Sequence, residues 1–220
     1  MNYLAHALLA GPDEEHRLGG LLGDFVKGPL SSVPPQFSDA VVDGLVLHRR
    51  IDSFADAHPA FARSRRRISN ERRRYSGIII DMFYDHFLAL HWARYSAQPL
   101  ESFTAAVYAL LARRPLPARL AEILPTMCQE DWLAGYRDPL AVIRALDQIA
   151  ARRLKRNNNL AGAGGELAAS YRAFEDDFLD FFPAAMAFAG RFLESAGTAH
   201  SRARQALGVD LSAARRPSSG

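Results

Sequence analysis

Apolar residues recur at three- and four-residue intervals along almost the whole chain, and no sustained alternation of β-branched residues interrupts them. The pattern predicts an all-α protein, a single-domain helical bundle. Helices are expected over residues 2–9, 14–26, 37–57, 59–69, 77–95, 100–112, 117–124 and 139–154, with a short turn carrying Trp132 and Tyr136. A final pair, or one kinked helix, is expected over 165–182 and 183–195. The breaks fall at Gly28-Pro29, at Pro34-Pro35 and in the run NNNLAGAGG over 157–165. Ser38 or Asp39, and Ser102, are the expected caps or first-turn polar residues. Phe174, Phe178, Phe181 and Phe182 form a helical stripe that reads as packing. Residues 1–195 are thus one helical domain, while 196–220 lose apolar periodicity, end in RRPSSG and are expected to be a loosely ordered tail.

Composition narrows this picture. At 220 residues and 49% hydrophobic, the chain can fill one substantial core. No apolar run reaches the roughly 18 residues of a membrane span, and the start lacks the basic, apolar and small-residue regions of a signal peptide. A cytoplasmic protein with no membrane partner is expected. The one cysteine, Cys128, excludes an intrachain disulfide or a multi-thiolate metal site and is expected in the core. The formal charge is only +3. Its arrangement is more telling: Arg63, Arg65, Arg66, Arg67, Arg72, Arg73 and Arg74 crowd one segment, which implies an anionic partner.

Two short stretches carry candidate chemistry. HRRID, from His48 to Asp52, and DMFYDHF, from Asp81 to Phe87, each place metal-ligating side chains four residues apart. On a helix such residues lie one turn apart on one face, with β-carbons about 5–6 Å apart. His48 with Asp52, and Asp81 with Asp85, can each aim two ligands at a point, and His86 adds an imidazole about 100° round the second helix. Solvated surface charge is the ordinary reading of any one such pair. Here Val46, Leu47 and Ile51 flank the first pair, and Ile78 to Ile80, Met82, Phe83, Phe87 and Leu88 surround the second. Acids in such apolar company are costly to bury unless paired or coordinated.

Other polar residues join these. Asn2 and His6 share a helix face; His6 reads as a core histidine or as part of the site. Asp24 closes the apolar run LGGLLGDF at a helix end, where it opposes the dipole and calls for a cation. Arg49 and Arg50 lie between the first pair, one positioned to reach a phosphate and the other on the rim, or else in surface ion pairs. Carboxylate and imidazole donors without thiolates favour Mn²⁺, Mg²⁺ or Fe²⁺ over zinc. Metal-assisted hydrolysis of a phosphoester is the leading class.

MNYLAH at Met1–His6, GDFVKG at Gly23–Gly28, HRRID and DMFYDHFLALHW at Asp81–Trp92, in that order, resemble the acyl carrier protein phosphodiesterases; YRD at 136–138 and ARR at 151–153 are weaker matches. The resemblance covers residues 1 to about 195. That family is similar to the HD-domain metal phosphohydrolases, which implies an all-helical fold and a divalent cation, preferably Mn²⁺. It implies hydrolysis, by metal-activated water, of the diester joining 4′-phosphopantetheine to a serine of holo-acyl carrier protein. Carried over by motif, the metal positions are Asp24, His48, Asp52, Asp81, Asp85 and His86, with His6 an addition. The tandem reads Asp85-His86, the reverse of the HD order, so individual roles are not carried over. For the implied reaction the expected catalytic residues are His86 or His6 as general acid, with Arg49 and Arg50 on the phosphate. The arginine segment is the expected docking surface for an acidic carrier protein. The alternatives are an HD-like nucleotide phosphohydrolase and a non-catalytic basic helical module that binds nucleic acid, a partner not otherwise expected.

Overall fold

Capping side chains and prolines open several of the helices. In the computed structural model, which describes residues 1–30, 35–153 and 158–206, all regular structure is helical. α1 spans Tyr3–Leu9 and α2 spans Glu14–Leu22. Asp13 caps α2 by accepting the N–H groups of Glu15 and His16, both at 2.9 Å. α3 spans Asp39–Ala57, and the Ser38 hydroxyl caps it by accepting the Val41 N–H at 3.3 Å. α4 (Pro59–Arg67) begins on proline, whose missing N–H costs nothing in a first turn. A 3₁₀ segment leads into α5 (Ser76–Leu90). Then follow α6 (Leu100–Ala112), α7 (Ala118–Gln129), the single turn α8 (Trp132–Gly135), α9 (Pro139–Arg153) and α10 (Gly164–Ala206).

Several boundaries differ from the sequence reading. α2 stops at Leu22 and α5 at Leu90, where a 3₁₀ turn over Trp92–Arg94 takes over. Pro99 precedes α6, so Ser102 is a first-turn residue of that helix, one of the two expected places, and not its cap. α7 continues through Pro125 to Gln129, and Cys128 is exposed, not in the core. α10 is kinked, as expected, but at Ser170, with φ −136° and ψ 30°, and the helix passes through Pro183. Phe178, Phe181, Phe182 and Ala185 are all fully buried around that proline. Burying each large side chain is worth about 1.5–3 kcal/mol, enough together to offset the roughly 3 kcal/mol that an interior proline costs. The helix also runs to Ala206, where a loose tail was expected from 196; residues 207–220 lie outside the described residues, as does Pro34.

α5 is the central element. Its residues Met82 to Ala89 are buried without a break, so every polar group among them must find a partner inside the protein. α1, α4, α9 and α10 pack around it. Phe83 meets Phe174, and Tyr84 meets Phe178, edge to face at 5.3 and 5.5 Å between centroids. α2 and α3 cross by near contact of their backbones. A β-carbon on Gly19 would lie 2.1 Å from the Val41 carbonyl oxygen, and one on Gly44 2.2 Å from that of His16. This crossing lays His48, one turn beyond Gly44, against the end of α2.

Candidate active site

His6 comes from α1, and His48 and Asp52 from α3. Each offers one donor atom, and the three lie within 4.8 Å of one another. His6 Nε2 is 3.2 Å from Asp52 Oδ1, and His48 Nε2 is 3.3 Å from Oδ2. The two imidazoles stack with centroids 3.7 Å apart and planes 21° from parallel. Both rings are buried, whereas the Asp52 side chain is 43% exposed and opens the cluster to solvent. His48 Nδ1–H donates to the Gly20 carbonyl at 2.8 Å, which orients the ring with Nε2 toward Asp52. Gly23 makes room for that ring: a β-carbon there would stand 2.2 Å from His48 Cγ.

Asp81 completes the floor. The Met1 amine sits between two carboxylates, 2.9 Å from Asp81 Oδ1 and 3.1 Å from Asp52 Oδ1. Burial alone would lower the amine's pKa, but Asp81 and Asp52 outweigh it and raise it to about 11. Burial pushes the Asp81 carboxyl up, with the amine only partly offsetting it. For Asp52 burial works upward too, yet hydrogen bonds from His48 and His6 hold it well below the carboxylate range. Burial, then the neighbouring His48, lowers His6 to about 4, so its ring is neutral near pH 7. Its Nδ1 is buried without a hydrogen-bond partner. A position held by a cation between carboxylates, next to two imidazoles, suits a divalent metal by the chemistry of its donors.

The expected residues do not all meet here. Asp24, just past α2, is exposed and 3.5 Å from Lys27; it faces the same cavity as Asp52 and Asp81 without touching them. Asp85, expected as a ligand, has turned to the start of α1: its Oδ2 accepts the Leu4 N–H at 2.8 Å and its Oδ1 the Ala5 N–H at 3.1 Å. It is fully buried, and burial raises its carboxyl to about 7 against the pull of those two N–H groups. His86, expected as ligand or acid, is bonded at both ring nitrogens, Nδ1 to the Tyr136 carbonyl and Nε2 to the Tyr171 hydroxyl, each at 2.8 Å. The 100° offset from Asp85 carries it round α5 toward α10, away from the cluster. Arg49 donates to the Val26 carbonyl at 3.2 Å, and Arg50 lies over the Phe192 ring at 5.3 Å, so neither points into the cluster.

The arginine segment divides in two. Arg63 and Arg67 hold the buried Asp177 at 2.7 and 3.2 Å, and Arg72 holds Glu166 at 3.3 Å, which ties α4 and the following turn to α10. These three are structural rather than free for docking. Arg66, Arg73 and Arg74 are exposed, and Arg65 meets Asp56 at 2.9 Å in a solvent-facing pair. Sequence reasoning missed Asp177 and the His91–Glu175 pair, at 2.7 Å, because nothing in their spacing separates them from the surface acids of α10.

Two clefts converge on the cluster and share Met1, Asp52, Ile78 and Asp81. The smaller, about 300 Å³, runs toward Arg65. The larger, about 900 Å³, runs between α1, α5 and the α7–α9 unit. Among the described residues no helix is long and apolar enough to cross a membrane.

The family profile for acyl carrier protein phosphodiesterases matches residues 1–185. A Salmonella dublin acyl carrier protein phosphodiesterase is 37% identical over 195 residues, spanning 87% of this chain and 98% of the relative. Relatives of the same name from Salmonella agona (strain SL483) and Salmonella paratyphi A are each 36% identical over 195 residues, with the same coverage. No solved structure matches. With its profile match and near full-length relatives, the chain belongs to the acyl carrier protein phosphodiesterase family.

Proposed function

We propose that this protein hydrolyses the phosphodiester between 4′-phosphopantetheine and the carrier serine of holo-acyl carrier protein, and that a divalent metal, Mn²⁺ first, serves the reaction. The observation that carries this reading is the convergence of His6 and His48 on Asp52, within 4.8 Å, where Asp52 itself lines both clefts. Family membership supplies the substrate class.

His6, His48 and Asp52 would hold the metal, with Asp81 beside them. When bound, such an ion lowers the pKa of a coordinated water and neutralises phosphoryl oxygens. The chain's own groups do the rest. Gly20 keeps the His48 ring oriented with Nε2 toward Asp52, and Asp85 fixes the first turn of α1, hence the position of His6. Asp81, 28% exposed and lining both clefts, stands beside the cluster with its carboxylate on the Met1 amine, while the departing serine oxygen, a poor leaving group when unprotonated, would take its proton from water in the solvent-open clefts. His86 has no part at the reacting atoms, because both of its nitrogens are engaged elsewhere.

Incubation of purified holo-carrier protein with the enzyme and Mn²⁺, followed by intact mass spectrometry, tests the reaction. Loss of the phosphopantetheine mass, abolished by chelator, is expected. Turnover of nucleotides with none of the carrier would replace this reading with a nucleotide phosphohydrolase.

A further inference from the structure

We infer that the two clefts divide the diester between them: the larger receives the linear pantetheine arm, and the smaller, which Arg65 of the basic segment lines, receives the carrier-protein side. The inference rests on the proposed substrate and adds which residues recognise each half of it. A phosphodiester seated at Asp52 and Asp81 must send its two substituents in different directions, and two clefts leave that point. They differ in size and chemistry. At about 900 Å³ the larger is in the range of cavities that enclose whole small molecules. Ala141, Arg144, Ala145, Gln148 and Ile149 line it from α9 at positions i, i+3, i+4, i+7 and i+8, so one helix face forms a wall, with one basic side chain on it. The two alanines leave width, Ile149 supplies apolar contact, and Gln148 offers both a donor and an acceptor. That alternation suits an arm in which amides alternate with methylene and methyl groups.

The smaller cleft, about 300 Å³, is too short for such an arm and is open to solvent. Arg65 lines it and donates to the Ser76 hydroxyl at 3.3 Å, at the start of α5, two residues after the exposed Arg74. Arg73 reaches the Arg66 carbonyl at 3.5 Å, joining the exposed ends of α4 and the following turn into one basic edge. Arg66, Arg73 and Arg74 have no carboxylate partner among the described residues, unlike Arg63, Arg65, Arg67 and Arg72, so their charge is available to an acidic helical protein.

The test uses the full chain with Mn²⁺ and reads two quantities: KM for holo-carrier protein, and Ki for free 4′-phosphopantetheine as product inhibitor. Ala145→Trp is expected to raise the Ki, and the KM with it, by about tenfold or more, with Ala141→Leu as a milder filling of the same wall. The triple charge reversal Arg66→Glu, Arg73→Glu, Arg74→Glu is expected to raise only the KM, by about tenfold, and to flatten its salt dependence. Thermal melts by circular dichroism establish that each variant folds; if Ala145→Trp does not, Ala141→Leu alone decides the arm. The division is overturned if 4′-phosphopantetheine fails to inhibit the wild-type enzyme, if the α9 variants leave its Ki unchanged, or if the triple variant raises that Ki. A wild-type enzyme that leaves holo-carrier intact instead overturns the proposed reaction itself.

Discussion

The imidazoles of His6 and His48 stack 3.7 Å apart, each with Nε2 directed at one oxygen of Asp52. Two protonated rings would repel strongly at this distance, and His6 is held neutral by burial and by His48. The pair is therefore a two-nitrogen, one-carboxylate donor set. Replacing either histidine by alanine is expected to weaken Mn²⁺ binding by more than about 100-fold, since loss of a supporting partner alone costs up to that much. Titration calorimetry with Mn²⁺ checks this, and circular dichroism should show the helical content retained. Affinity unchanged in both variants would remove the metal from this cluster.

The pH dependence of stability carries opposing signs from two neighbours. His6 titrates at about 4 in the folded chain against 6.5 in the unfolded one, so the unfolded state binds more protons in that window. Its contribution rises with pH from about 4 to 6.5 and is lost on acidification. Asp85 titrates at about 7 against 3.8, so the folded state binds more protons, and its contribution falls as pH rises from about 4 to 7. Each amounts to a few kcal/mol in order of magnitude. In metal-free urea melts, His6→Gln should leave a stability that declines from pH 4 to 7 relative to Asp85→Asn. Parallel curves for the two variants would contradict these assignments.

Removing the Asp85 side chain should loosen α1. Asp85→Ala leaves the Leu4 and Ala5 N–H groups buried and unpaired, at a cost of about 1–3 kcal/mol each. The melting temperature should fall by roughly 5–15 °C, with activity lost through displacement of His6. A melting temperature within error of wild type would show that α1 is held by its apolar face alone.

How much of this was legible in the sequence follows from what side-chain spacing encodes. The i,i+4 rule placed His48 and Asp52 on one face because both sit on one uninterrupted helix, and α3 holds them together. The same rule paired Asp81 with Asp85, yet only Asp81 faces the clefts. Asp85 lies deeper, where the unpaired N–H groups of α1 attract it more than solvent-facing chemistry does. Spacing within one helix says nothing of which neighbour it meets, so the turn of Asp85 to α1 and of His86 to Tyr136 and Tyr171 could not be read. For the same reason Arg63, Arg67 and Arg72 looked free until α10 brought Asp177 and Glu166 to them. The fold class was visible because apolar periodicity is local; the kink expected in the last helix was visible too, but its position, Ser170 rather than Pro183, was not, because the burial on both sides of the proline is not local.

Gly23 offers a test of positioning without touching a polar group. Its φ of −55° suits alanine, so Gly23→Ala acts only through the methyl group that would stand 2.2 Å from the His48 ring. Overpacking of this kind costs about 1–3 kcal/mol. We expect a modest drop in melting temperature and a drop in kcat for carrier hydrolysis much larger than any change in KM. A kcat equal to wild type would mean that His48 does not need its observed orientation.

Anomalous diffraction from crystals soaked in MnCl₂, collected at the manganese edge, locates the ion directly. A peak bounded by His6 Nε2, His48 Nε2 and the Asp52 carboxylate, beside Asp81, is the predicted result. A peak at Asp85 and His86, or no peak in crystals of enzyme that turns over carrier protein with Mn²⁺, would contradict it.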